Sequence, residues 1–128
     1  MPYLDALGIV CADIDTSLRF YGLLGVPVPA SSEGEDHVEA VLPSGLRLMF
    51  DSLALMKQIK PDWVPPVGHR MGLAFHCETP AGVNATYQSV LAAGFTGALE
   101  PWDAFWGQRY AQVADPDGNL VDLFAPLG

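Results

Sequence analysis

Between Ser52 and Gly68 the chain carries Pro61, Pro65 and Pro66. A proline inside a helix or a central strand removes a backbone donor and crowds the neighbouring backbone. No continuous element therefore crosses this stretch, and it divides the 128 residues into two segments of about equal length. Residues 53–69 read as a linker with one helical turn near Leu53–Lys57. Module one covers about 4–52 and module two about 70–126, both within a single domain spanning 1–128.

The two segments repeat one order of elements. In the first, ALGIVCA (6–12) is a short apolar run suited to a buried strand. Asp15 or Thr16 can cap a helix whose Leu18, Tyr21 and Leu24 recur at helical spacing, and Gly25 ends it before Pro27. Two strands, 37–42 and 46–51, flank the turn Pro43-Ser44-Gly45. In the second, a strand over 72–78 leads to Thr79-Pro80, a cap followed by a proline at the first helical position. Val83, Tyr87, Val90 and Leu91 form the apolar stripe of that helix. A short strand near 97–101, a loop WDAFW (102–106), a strand over 109–113, the turn Pro116–Asn119 and a strand over 120–124 follow.

The pattern is read as two βαβββ modules, an α+β fold. One helix covers one face of each sheet, and the other face is left for the partner module or a ligand. A cupped mixed sheet with a central groove is the expected result. Six Lys plus Arg against 15 Asp plus Glu give a formal charge of −9. That field repels phosphate backbones and anionic membranes and draws small cations, so neither nucleic acid nor membrane is an expected partner. Cys11 and Cys77 are too few for a disulfide scaffold and, each inside an apolar strand-like run, read as buried structural thiols. MPYLDALGIV lacks a basic region and a small-residue cleavage site, so no leader is expected and the expected compartment is the cytoplasm.

CADIDTSLRFYGLLG (11–25) and GQRYAQVADPDGNLVDL (107–123) are similar to the first strand-to-helix passage and the closing hairpin of the vicinal oxygen chelate superfamily. That superfamily includes glyoxalase I, extradiol dioxygenases and the bleomycin-resistance proteins. The resemblance spans essentially the whole chain and implies the glyoxalase/bleomycin-resistance fold. In metal-using members a divalent ion is held at four strand positions, which fall here at Ala6, Met49, Gly72 and Asp122. Two of these have no donor atom, and a thioether is a poor ligand for a hard cation. One carboxylate does not make a catalytic site, which normally takes three protein ligands. Metal and cofactor are therefore expected to be absent. The histidines His37, His69 and His76 have no recognisable ligand spacing.

Alternation along the strands aims Arg47, Met49, His76, Asp122 and Phe124 into the groove. Arg47 needs a counter-charge, from Asp122 or Glu39. Trp102, Phe105, Trp106 and Tyr110 are concentrated in eleven residues, suited to stacking on a flat heterocycle or to sealing a dimer seam. In this character the chain resembles the bleomycin-resistance branch, which implies sequestration of a planar aromatic or cationic compound by a homodimer. The alternative is a lyase, isomerase or dioxygenase with a non-standard or absent metal site. In a metal-free catalyst, Asp122 with His76 or Tyr110 would move protons.

Overall fold

The computed structural model describes residues 1–128, and its backbone divides into two units, residues 1–67 and 68–128. The first contains β1 (Ala6–Cys11), α1 (Ile14–Leu23), β2 (His37–Val41), β3 (Arg47–Ser52) and α2 (Leu53–Ile59). Its mixed sheet has the order β1-β3-β2, with β1 parallel and β2 antiparallel to β3. This unit has three strands, one fewer than the βαβββ order gives. The second contains β4 (Leu73–His76), α3 (Pro80–Ala92), β5 (Thr96–Ala104), β6 (Gln108–Ala114) and β7 (Leu120–Pro126). Its sheet, β4-β7-β6-β5, has the expected four strands, β4 running parallel to β7. The α+β class and the closing hairpin match the sequence reading.

Local chemistry sets the boundaries. Asp13, not Asp15 or Thr16, caps α1, accepting from the Asp15 amide at 3.2 Å and the Thr16 hydroxyl at 2.7 Å. Asp15 instead accepts the Ser32 amide at 2.6 Å, pinning the loop that follows α1. The linker holds more helix than the single turn expected: Ser52 caps a seven-residue α2 by accepting from the Leu55 amide. At the closing hairpin Asp115 is buried and accepts from the Asp117 and Asn119 amides and from Asn119 Nδ2, at 2.7–2.9 Å. Gly118 takes φ +88°, a conformation that favours glycine. That turn fixes the register that pairs Gln112 with Asp122 and Tyr110 with Phe124.

Each sheet buries one face. In the first unit Ile9, Cys11, Leu48 and Phe50 are buried along with Leu18, Phe20 and Tyr21 of α1, and the Tyr21 and Phe50 rings meet at 5.6 Å. In the second, Val121, Leu123, Ala125, Ala111 and Val113 alternate inward among Val83, Tyr87 and Val90 of α3. No helix is long and apolar enough to cross a membrane.

The strand-to-helix passage into α3 is crowded. Thr79 caps α3 by accepting from the Gly82 amide at 3.0 Å, and a Cβ on Gly82 would lie 2.2 Å from the Cys77 carbonyl oxygen. Alanine improves helix propensity by about 1 kcal/mol, but a backbone clash of this size outweighs it. Gly82→Ala is expected to lower stability by about 1–3 kcal/mol in urea unfolding. A stabilised variant would contradict the packing described.

Candidate functional site

Opposite the helix, the second unit presents a row of side chains across all four strands. His76 pairs with Phe124, Phe124 with Tyr110, and Tyr110 with Trp102. The next row runs Ala74, Asp122, Gln112 and Leu99. His76 meets Phe124 edge-on at 4.9 Å. Trp106 is the hub of the aromatic cluster, with ring centres 5.2 Å from Tyr110, 5.7 Å from Trp102 and 5.0 Å from Phe105. Its indole N–H donates to Gln108 Oε1 at 2.8 Å, fixing the ring. Phe105 lies almost fully in solvent at 89 % exposure.

The aromatic segment is not a loop from 102 to 106. β5 runs through Ala104, and only Phe105, Trp106 and Gly107 form the connection to β6. Two register shifts, between Gly97 and Leu99 and between Leu99 and Trp102, bring Trp102 opposite Tyr110. Such shifts are how a strand re-aims a side chain. The sequence obscured this because Pro101 interrupts the run.

Asp122 is held by neighbours on its own sheet. Its Oδ1 accepts from the Tyr110 hydroxyl at 2.8 Å and from Gln112 Nε2 at 2.9 Å. Oδ2 accepts no hydrogen bond within the chain. Burial, and then the adjacent carboxylate, push the Tyr110 phenol up to about 12, so it stays protonated and donates at neutral pH. Gln112 escaped the sequence reading. The signal was there: equal steps outward from the turn place it directly opposite Asp122.

In the first unit the exposed face of β2 and β3 carries a chain of charges. Arg47 donates to Asp5 at 2.7 Å and to Glu39 at 2.6 Å. Of the two counter-charges expected for Arg47, Glu39 is the one used. His37 bridges onward, from Glu39 through Nε2 at 2.7 Å to Asp51 through Nδ1 at 2.5 Å. Met49 pairs with Gly8 and Glu39 in this sheet, and Ala6 with Arg47. Asp5 was missed because it precedes β1, and its contact with Arg47 depends on the parallel pairing of β1 and β3.

A depression of about 480 Å³ lies on the helix side of the second unit, lined by residues of α3, β5 and β6 including Tyr87, Glu100 and Arg109. None of the residues assigned to the groove lines it. Arg109 is anchored there by Asp103 at 2.5 Å and Asn84 at 3.0 Å. The open face, with its unpartnered carboxylate oxygen, carries more chemistry than this depression.

The family profile of the Glyoxalase/Bleomycin resistance protein/Dioxygenase superfamily matches residues 3–123. The chain belongs to that superfamily. Among solved structures it is similar to a glyoxalase/bleomycin resistance protein/dioxygenase family enzyme from Burkholderia phytofirmans, with TM-score 0.83, 19% identity and coverage of 97% of this chain and 98% of that one. A glyoxalase-related enzyme from Fulvimarina pelagi gives TM-score 0.83 at 19% identity, covering 98% and 88%. A protein from Agrobacterium tumefaciens, whose structure was determined by NMR in solution, gives TM-score 0.76 at 27% identity, covering 100% of both chains. Comparison with curated proteins finds no match.

A divalent ion does not fit the superfamily's metal positions in this chain. Ala6 and Gly72 have no donor, and neither does Gly8, which the pairing sets beside Met49. Met49 offers only a thioether, which leaves the Asp122 carboxylate as the single hard donor among these positions.

The charge chain gives the first unit a pH signature. Hydrogen bonds to Glu39 and Asp51 raise the His37 imidazole above its ordinary 6.5. A raised folded value means stability that is fully present below the unfolded value and is lost as pH rises through the folded one. The excess stability of the native protein over His37→Gln, read from urea midpoints, is therefore expected to shrink from pH 6 toward pH 9. A constant difference across that range would refute the assignment.

Proposed function

We propose that this protein binds a planar small molecule, aromatic or cationic, on the open face of residues 68–128, and holds it without chemistry, as a sequestering protein does for an antibiotic. The observation that carries this reading is the row of His76, Phe124, Tyr110 and Trp102 beside an Asp122 oxygen with no partner. Aromatic edges and faces stack on flat heterocycles, and a carboxylate beside them favours a cation. The net charge of −9 adds to the attraction. A protonated Tyr110 supports binding over proton abstraction, since a phenol raised to about 12 makes no general base near neutrality. The donor-poor positions Ala6, Met49 and Gly72 support a metal-free site.

The test is quenching of tryptophan emission by a panel of planar cationic drugs. Trp102→Ala and Asp122→Asn are each expected to weaken binding about tenfold, through lost stacking and a lost charge-assisted contact. Prior treatment with a chelator is expected to leave affinity unchanged. Stoichiometric uptake of Mn, Fe, Ni or Zn required for binding would move the assignment to the lyase, isomerase or dioxygenase alternative.

A homodimer acting in the cytoplasm completes the reading. Support for the dimer comes from the exposed Leu99, Trp102, Phe105 and Trp106, large apolar surface of the kind a partner covers. Neither Cys11 nor Cys77 is in a disulfide, as expected of thiols in a reducing compartment. Sedimentation at micromolar concentration is expected to give twice the chain mass; a monomer would overturn the dimer alone.

A further inference from the structure

His76 has a hydrogen-bonding state that the backbone dictates. The Glu78 amide N–H donates to His76 Nδ1 at 2.8 Å. An amide N–H can only donate, so Nδ1 must present its lone pair, and the ring proton sits on Nε2. The turn that delivers this N–H is held by contacts of its own. Glu78 takes φ +69°, rare for a residue with a side chain. The Thr79 amide donates to the Cys77 carbonyl at 2.7 Å, and the same carbonyl closes against Gly82. The edge contact with Phe124 fixes the ring plane. His76 is exposed, and Nε2 has no partner within the chain.

We propose that His76 is a fixed neutral Nε2–H donor that selects ligands carrying a hydrogen-bond acceptor, a carbonyl oxygen or a ring-nitrogen lone pair, on one edge. The inference rests on the binding reading of the open face and narrows its ligand class. His76 and Asp122 occupy adjacent rows, since Asp122 pairs with Ala74 two residues before His76. Two residues along and one strand across, their backbones lie about 8 Å apart, a span comparable to the width of a fused ring system. The face therefore offers a donor at one side and a carboxylate oxygen at the other. It fits a planar heterocycle with an acceptor edge and an opposite N–H or cationic edge, and disfavours one that presents donors on both edges.

Two dyes separate these classes. Acridone is planar, with a carbonyl on one edge and an N–H on the other, whereas proflavine is a planar cation with amino donors and no carbonyl. Nitrogen-15 NMR of the free protein is expected to report the Nε2–H form of His76 at neutral pH. His76→Phe keeps a ring and removes the donor, and is expected to lower acridone affinity about tenfold or more and proflavine affinity severalfold less than that. His76→Gln, which restores a donor, is expected to recover much of the loss. A proton on Nδ1, or equal responses of the two dyes to His76→Phe, overturns the inference while leaving the binding reading standing. Failure of both dyes to bind the native protein, with the Nε2–H form observed, overturns the binding reading and the ligand selectivity together.

Discussion

One long helix against each sheet is the constraint from which the rest follows. α3 covers one side of β4-β7-β6-β5, and every second residue of β6 and β7 points into that contact: Ala111, Val113, Val121, Leu123 and Ala125 are fully buried. The residues between them are displayed on the other side. Tyr110, Gln112, Asp122 and Phe124 stand on the open face because the core claims their neighbours. The first unit obeys the same rule: Leu48 and Phe50 are buried, while Arg47, Met49 and Asp51 stand on the face of the charge chain.

The two faces are finished differently. In the second unit, neutral donors converge on one carboxylate, with both hydrogen bonds on a single oxygen. In the first, five ionisable groups alternate in sign from Asp5 to Asp51, so each charge is met locally. With His37 and Glu39 side chains about 41% and 36% exposed, solvent screens these pairs, and their effect is on orientation more than on stability.

What was legible in the sequence was local or periodic. The closing hairpin could be read because Asp115 to Asn119 make their own turn, and the turn sets the pairing of β6 with β7. Both long helices were legible from apolar spacing and terminal residues, although the cap of α1 moved to Asp13 because a competing partner, the Ser32 amide, claims Asp15. Contacts depending on a register between distant strands were not legible. The choice of Glu39 over Asp122 for Arg47 follows from the β2–β3 pairing, and the strand character of Trp102 from two bulges that no periodicity announces. The Nδ1 contact of His76 was hidden for another reason. It depends on a left-handed Glu78, where the residue type gives no hint of the conformation.

The bulges in β5 also bear on how this sheet avoids growing. β5 is an edge strand, and an edge with a regular ladder of free amides and carbonyls invites a strand from another molecule. Here the ladder is broken twice within six residues, and Pro101 withholds an amide where the edge would otherwise continue. The strand keeps its exposed leucine and tryptophan yet makes a poor template for sheet extension. Such an edge carries its apolar surface while offering few positions at which another strand could pair.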